Sequence, residues 1–285
     1  MSAKYDASNA ARGTMPGFVD FHSHLMPGVD DGARDTVQAL ESLRAFAAQG
    51  AATCLTTPHF DASLTKSPPA FTARMGQFEI AWAALTAARD TYRVSAGHAP
   101  LPTLARGVEV MLDDPDPDLS DPRLRLAGGP FVLVEFPAMQ MPPNAQWTIS
   151  RLRQNGWWPI IGHPERYRNH DSQLTVLARC RGAGALLQVN AGSLLGHHGA
   201  RARTVAHALL SLGWVDYLAS DHHARGEPAT GRAVALLQLR GAPAQRLTVE
   251  NPQRILAGEG PLPVPPLVAK EARSWWARLL RLPPR

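Results

Sequence analysis

Short β-prone runs alternate with helical stretches along almost the whole chain, and this alternation constrains the fold more than any other feature. The first run, Phe18, Val19 and Phe21, leads into His22-Ser23-His24. Later runs are Ala52–Thr57, Leu104–Leu112, Phe131–Phe136, Trp158–Gly162, Ala185–Asn190 and Asp216–Ser220. Between them apolar residues recur at helical spacing. Asp35 or Thr36 can cap a helix with Val37, Leu40, Leu43 and Ala47 on one face, stopped at Gly50. Phe71, Met75, Phe78, Trp82 and Leu85 share a face of a longer helix over 69–92. Asn144 can cap a helix reaching Asn155, and further helices are expected over 200–212 and 231–239. Strand followed by helix, repeated, means parallel strands joined by crossover helices. At 285 residues a (β/α) barrel is favoured over an open sheet.

The polar residues fall where such a barrel would use them. His22 and His24, two apart on a strand, project to one face. The Pro27-Gly28 turn then brings the Asp30-Asp31 pair back toward them. His59, Glu109, Glu135, His163, Asp221 and His223 all lie in or just after β runs, mostly at their C-terminal ends. In a barrel those ends share one face, where active sites sit. Each residue alone has an ordinary reading: an exposed histidine, a turn aspartate, a carboxylate held by a backbone amide. Glu109 in GVEVML and Glu135 in FVLVEF are the exceptions. A carboxylate flanked by Val, Leu and Phe is almost never buried without a partner. Mixed nitrogen and oxygen donors suit zinc, manganese or iron better than calcium.

Composition excludes several classes. Two cysteines make no disulfide framework and fit a reducing compartment. A thiol phosphatase needs an arginine six residues after its nucleophile, but Phe60 follows Cys54 and Leu186 follows Cys180 at that distance. Both cysteines are expected in the core. The net charge of +5 attracts anionic partners, yet no basic stripe interleaved with aromatics marks a nucleic-acid surface. No apolar run is long enough to span a bilayer, and Met1–Pro16 lacks the apolar core of a secretory signal.

Taken in order, DFHSHLMPGVDDGA, TPHF, GVEVML, VEF, GHPERY, QVNAGSLLG and ASDHHA resemble the PHP-superfamily phosphoesterases. More narrowly, they resemble the bacterial manganese-dependent protein-tyrosine phosphatases of capsule and exopolysaccharide loci. The likeness runs from Pro16 to Leu256, and its HSHxxPGxDDGA opening is the specific part. It implies an α/β fold, a PHP-type distorted (β/α)7 barrel, with three divalent ions at one end: manganese, with iron or zinc as alternatives. One ion would take His22, His24, Glu109 and Asp221. A second would share Glu109 as a bridge and take Glu135 and His163. A third would take Asp31, His59 and His223. The resemblance gives Arg166 a phosphate contact and, with Glu109, a catalytic role. Asn190 matches a substrate-side position, and Ser193 belongs to the same motif. The family commonly carries a second arginine after its Asp-x-His motif; here Arg225 comes early, and it is the candidate replacement. His222, between two matched ligands, should point away.

The implied activity is hydrolysis of protein phosphotyrosine in the cytoplasm, on a membrane-embedded bacterial tyrosine kinase that regulates polysaccharide synthesis. The alternative enzyme is a PHP phosphoesterase for a small phosphomonoester such as histidinol phosphate. A rival of another class is a non-catalytic metal-bound regulator. The chain divides into a loose tail over 1–15, a barrel over 16–258, and a Pro-rich linker with a basic tail over 259–285. On a helix over Lys270–Leu282, Trp275, Trp276, Leu279, Leu280 and Leu282 oppose Arg273, Arg278 and Arg281. Such a helix can lie on an anionic membrane, pack on the barrel, or join copies of the chain.

Overall fold

A computed structural model describes residues 17–94, 100–171 and 174–267. Its strands are β1 (Phe18–Ser23), β2 (Ala51–Thr56), β3 (His59–Asp61), β4 (Thr103–Arg106), β5 (Glu109–Met111), β6 (Phe131–Glu135), β7 (Trp158–Gly162), β8 (Leu186–Asn190) and β9 (Tyr217–Ala219). The helices are α1 (Thr36–Ala48), α2 (Pro68–Val94), α3 (Ala145–Gln154), α4 (Thr175–Gly182), α5 (Ala191–Leu195), α6 (Gly199–Ser211), α7 (Thr230–Leu239) and α8 (Asn251–Leu256). Every strand pairing is parallel.

Two ladders, β1-β2-β4 and β3-β5-β6-β7-β8-β9, form one ring. β3 continues β2 beyond Thr57-Pro58, and β5 continues β4 beyond Gly107-Val108, so the nine strands make seven staves. Proline has no N–H to donate, so the ladder breaks at Pro58. At Gly107 the chain passes so close to Leu126 that a Cβ would meet its Cδ2 at 2.9 Å. Gly107 N–H to Thr56 O (3.0 Å) and Glu109 N–H to Pro58 O (3.0 Å) stitch across the two breaks. The ring closes between β9 and β1, where His24 N–H reaches His222 O and Asp221 N–H reaches His22 O, both at 2.9 Å. This is the distorted (β/α)7 barrel that the sequence resemblance implies. The strands depart from expectation in two places: β3, over His59–Asp61, is an added strand, and the expected Leu104–Leu112 run is split between β4 and β5.

Strand alternation sorts the core into two layers. Val19, Phe21, Leu55, Phe131, Leu133, Ile160, Tyr217 and Ala219 fill the barrel interior, and Ile255 of α8 and Leu126 join them. Val108, Val110, Val132, Val134, Ile161, Leu187 and Val189 face outward to the helices. On that outer layer α2 lays down Met75 and Phe78, buried, with Phe71 and Trp82 half-buried, while its buried Leu85 joins the cluster of Phe18, Leu43 and Phe46. Asp35 caps α1, its carboxylate accepting from Gln38 N–H at 2.8 Å. Asn144 stands at the start of α3 but makes no side-chain cap bond. Both cysteines are buried thiols; burial pushes Cys180 up to about 12 and Cys54 well above its ordinary value.

Residues 259–267, expected as linker, form neither helix nor strand and lie against the barrel. Leu262 N–H donates to Asn251 Oδ1 at 2.8 Å, and Val264 is buried. The tail over 1–15 and the helix expected over Lys270–Leu282 lie outside the described residues. Among the described residues, no helix is long and apolar enough to cross a membrane.

Candidate metal centre

At the C-terminal ends of the strands the inward positions turn from apolar to polar. β1 reaches this point through a bulge: Asp20 faces Cys54 and Ser23 faces Thr56, so β1 carries one residue more than β2. Inward positions shift from Val19 and Phe21 to His22 and His24. Bulges beside active sites commonly re-aim a side chain in this way. β5 supplies Glu109 and β6 supplies Glu135. His163 follows β7 and Asp221 follows β9, both in left-handed backbone (φ 35° and 54°), a strain that ordinary turns avoid and functional sites tolerate.

Glu109 is the hub and is fully buried. Its Oε2 lies 3.3 Å from His22 Nε2, 3.6 Å from His24 Nε2 and 3.1 Å from His59 Nδ1, while Oε1 lies 2.8 Å from His163 Nε2. Asp221 Oδ1 stands 3.4 Å from His22 Nε2 and 3.3 Å from His24 Nε2. Glu135 reaches His59 Nδ1 (3.3 Å) and His163 Nε2 (3.7 Å). Asp31 Oδ1 reaches His223 Nε2 (3.2 Å) and His59 Nε2 (3.6 Å). All nine residues expected as ligands therefore converge on one mouth. His59 differs from expectation in one respect: its two ring nitrogens face different carboxylates, so it stands between two groups. Gly162 makes room for the hub, since a Cβ there would sit 3.1 Å from Glu109 Oε1.

The electrostatics ask for cations. Burial opposes charge on His22, yet Glu109 and Asp221 carry its pKa up to about 9. Burial likewise opposes charge on His59, and Glu109 and Glu135 carry it up to about 11. Glu109, despite burial, is held well below its usual range by His22 and His163. Buried carboxylates in this number hold their charge only beside positive charge. Among the described residues, Glu109 Oε2 makes no hydrogen bond of proper geometry despite its histidine neighbours, and His163 Nδ1 is buried without a hydrogen-bond partner. Three groups have ligand atoms within 4.8 Å of one another: His24, Asp31, His59 and His223; His22, His24 and Glu109; His59, Glu109 and Glu135. Histidine nitrogen mixed with carboxylate oxygen fits divalent transition metals.

A buried amide chain orients these donors. Asn190 Nδ2 donates to Asp221 Oδ2 at 2.7 Å, and a carboxylate can only accept. Asn190 therefore turns its oxygen to Gln188 Nε2 (2.9 Å), and Gln188 turns its oxygen to His22 Nδ1 (2.9 Å). His22 must then carry its proton on Nδ1, which leaves the Nε2 lone pair facing the cluster. Asp30 does the same for His24, accepting from Nδ1 at 2.8 Å, and is itself fixed by Gly32 N–H and His59 N–H. Neither Gln188 nor Asp30 stands among the expected site residues. Gln188 was legible in principle: an amide between Leu187 and Val189 in a buried strand needs a partner as much as Glu109 does.

Arg166 donates from Nη1 to Asp221 Oδ2 at 2.7 Å and is 30 % exposed at the mouth. Arg225 lies at the outer edge, donating to the Asp31 carbonyl at 2.7 Å. Asn190, expected on the substrate side, is fully buried with its amide engaged by Gln188 and Asp221. Ser193 donates to Glu165 at 2.6 Å and meets His198 Nδ1 at 2.8 Å. His222 turns away to Ser42 (3.2 Å) and the edge of Phe46.

A closed parallel barrel whose mouth gathers several histidine–carboxylate groups able to hold metal defines an α/β-barrel metalloprotein. The family described as capsular polysaccharide synthesis, CpsB/CapC, matches residues 18–257, and the chain belongs to it. Tyrosine-protein phosphatase YwqE of Bacillus subtilis is 30% identical over 209 residues, covering 72% of this chain and 77% of that protein. A CapC protein of Staphylococcus aureus is 26% identical over 223 residues, covering 78% and 81%. A solved structure, one of those of YwqE from Bacillus subtilis and CpsB from Streptococcus pneumoniae, matches with a TM-score of 0.70 and 25% identity. It covers 87% of this chain and 98% of its own, and those two proteins are metal-dependent tyrosine phosphatases.

Proposed function

We propose that the chain is a metal-dependent protein-tyrosine phosphatase of capsule or exopolysaccharide synthesis. The observation that carries this is the fully buried Glu109, its two oxygens shared among four histidines. Three divalent ions, manganese by preference, would be held by His22, His24, Glu109 and Asp221; by Glu109, Glu135 and His163; and by Asp31, His59 and His223. When bound, such ions draw phosphoryl oxygens and lower the pKa of water toward neutrality.

The chain's own residues do the rest. Gln188 and Asp30 hold His22 and His24 in the tautomers that present Nε2. Arg166, anchored on Asp221, keeps further N–H groups to donate to a phosphoryl group at the mouth. Arg225, on the exposed rim, serves as the second contact to an anionic substrate. Asn190 acts through Asp221 rather than on substrate. Tyrosine's phenolate leaves readily, with a pKa of about 10, so no general acid is assigned. The catalytic unit is the barrel over 16–258. Its partner is a phosphotyrosine protein, a bacterial tyrosine kinase of polysaccharide export, met in the cytoplasm at the inner face of the plasma membrane.

Chelation tests the reading. A strong chelator silences phosphotyrosine-peptide hydrolysis, Mn²⁺ restores it, and vanadate inhibits weakly. Activity that survives chelation contradicts the proposal. Histidinol phosphate assayed beside the peptide separates the tyrosine phosphatase from a small-molecule phosphoesterase.

A further inference from the structure

Helices of a parallel barrel run back toward the strand N-termini, so their C-terminal ends gather on the face opposite the metal centre. That face carries an arc of arginine–tryptophan pairs. Arg153 lies 3.6 Å from the Trp158 ring centre at the start of β7. Arg181, on α4, lies 5.8 Å from the Trp214 ring and donates to the Trp214 carbonyl at 2.7 Å. Gly184 joins the two pairs, since a Cβ there would meet Arg153 Nε at 3.1 Å. Two leucines stand out beside them. Leu212, closing α6, is 47% exposed, and Leu239, ending α7, is 87% exposed.

The acidic groups on this side are largely taken. Asp216 pairs with Arg181, Glu250 with Arg246, and Glu259 with Arg254. Asp116 and Asp118 line a hollow with Trp157 and bound the arc at that end. The described chain ends here too: Leu267 N–H donates to Leu210 O, and the sequence continues as VAKEARSWWARLLRL.

We infer that this face is a docking surface for an anionic lipid bilayer. Trp158, Leu212 and Leu239 enter the headgroup boundary, and Arg153, which pairs with no carboxylate among the described residues, meets lipid phosphates. The sequence after residue 267 is basic and carries Trp275 and Trp276, and peripheral binding commonly needs two anchors. The consequence is an orientation. The metal-centre mouth points away from the lipid, toward substrates that reach it from the aqueous side. This inference goes beyond the phosphatase reading and does not depend on it.

The test is sedimentation of the full chain with vesicles of phosphatidylcholine alone or mixed with phosphatidylglycerol. The chain co-sediments with the mixed vesicles, less so as salt rises, and weakly with phosphatidylcholine. The double variant Leu212→Glu/Leu239→Glu binds at least tenfold more weakly, with an unchanged melting temperature. Val37→Glu/Ile80→Glu, on exposed positions of α1 and α2, adds the same charge elsewhere and leaves binding within twofold. Equal binding of parent and Leu212/Leu239 variant would show that the tail alone meets lipid and overturn the inference. So would equal loss in both variants, absent binding to the mixed vesicles, or a change of oligomeric mass in the Leu212/Leu239 variant, which would mark a face between copies.

Discussion

Replacing Gln188 by leucine tests the amide chain behind the metal centre. Gln188 is fully buried on β8, and its oxygen accepts from His22 Nδ1 at 2.9 Å. Its nitrogen donates to Asn190 Oδ1 at 2.9 Å, and Asn190 in turn holds Asp221. Leucine keeps the volume and removes both bonds, together with a longer one of 3.4 Å that the same oxygen accepts from His163 N–H. His22 Nδ1–H is left without an acceptor and the ring is free to take the other tautomer, which points a proton at the cluster. Losing the partner of a metal-binding histidine typically costs ~10–100-fold in metal affinity, or about 1.4–2.8 kcal/mol. A stranded buried donor or acceptor costs ~1–3 kcal/mol of stability. Calorimetric titration of the metal-stripped variant with Mn²⁺ should show weakened binding at the His22/His24/Asp221 group, and urea denaturation a lower midpoint. Gln188→Glu restores an acceptor for His22 and should recover part of the affinity. Metal affinity of Gln188→Leu equal to that of the parent would refute the tautomer argument.

Three further outcomes are expected. Gly32→Ala places a Cβ 2.1 Å from the His24 carbonyl oxygen, so the Asp30-Asp31 loop must shift. Overpacking of this kind costs ~1–3 kcal/mol, and metal analysis should show loss at the Asp31 group first. His207 is held down to about 4 by burial, with Arg240 and Arg203 adding repulsion. Its neutral form is favoured in the fold, so its contribution is complete above the unfolded value of about 6.5 and fades as pH falls toward 4. That contribution is at most about 3 kcal/mol, and His207→Gln should flatten the loss of stability between these pH values in urea titrations. Glu109→Gln should abolish hydrolysis of a phosphotyrosine peptide while unfolding stays cooperative; wild-type turnover would contradict the role given to Glu109.

The order of strands and helices was legible because periodicity survives in each segment: β6 and β7 fall where the apolar runs stand, and α2 begins and ends within two residues of expectation. Breaks within strands were not. Leu104–Leu112 reads as one run because the crowding of Gly107 against Leu126 is a contact distant in sequence. The β1 bulge is set by pairing with β2, which local pattern does not report. The short α5, and the turns of helix over Arg246–Leu256 that bring Ile255 to the barrel interior, lack the length that makes periodicity visible. In the site, charged donors announced themselves by sitting in apolar strands. The neutral Gln188 did not, and Asp30 was hidden beside Asp31, since turn sequence alone does not say which carboxylate faces the histidine ring.

Crystals grown with Mn²⁺ and measured at its absorption edge test the central claim most directly. Anomalous peaks should appear at coordination distance from Glu109, with one shared by His22, His24 and Asp221 and another by Glu135 and His163. A map with no anomalous density beside Glu109, or with Asp221 and His163 drawn apart from it, would contradict the account.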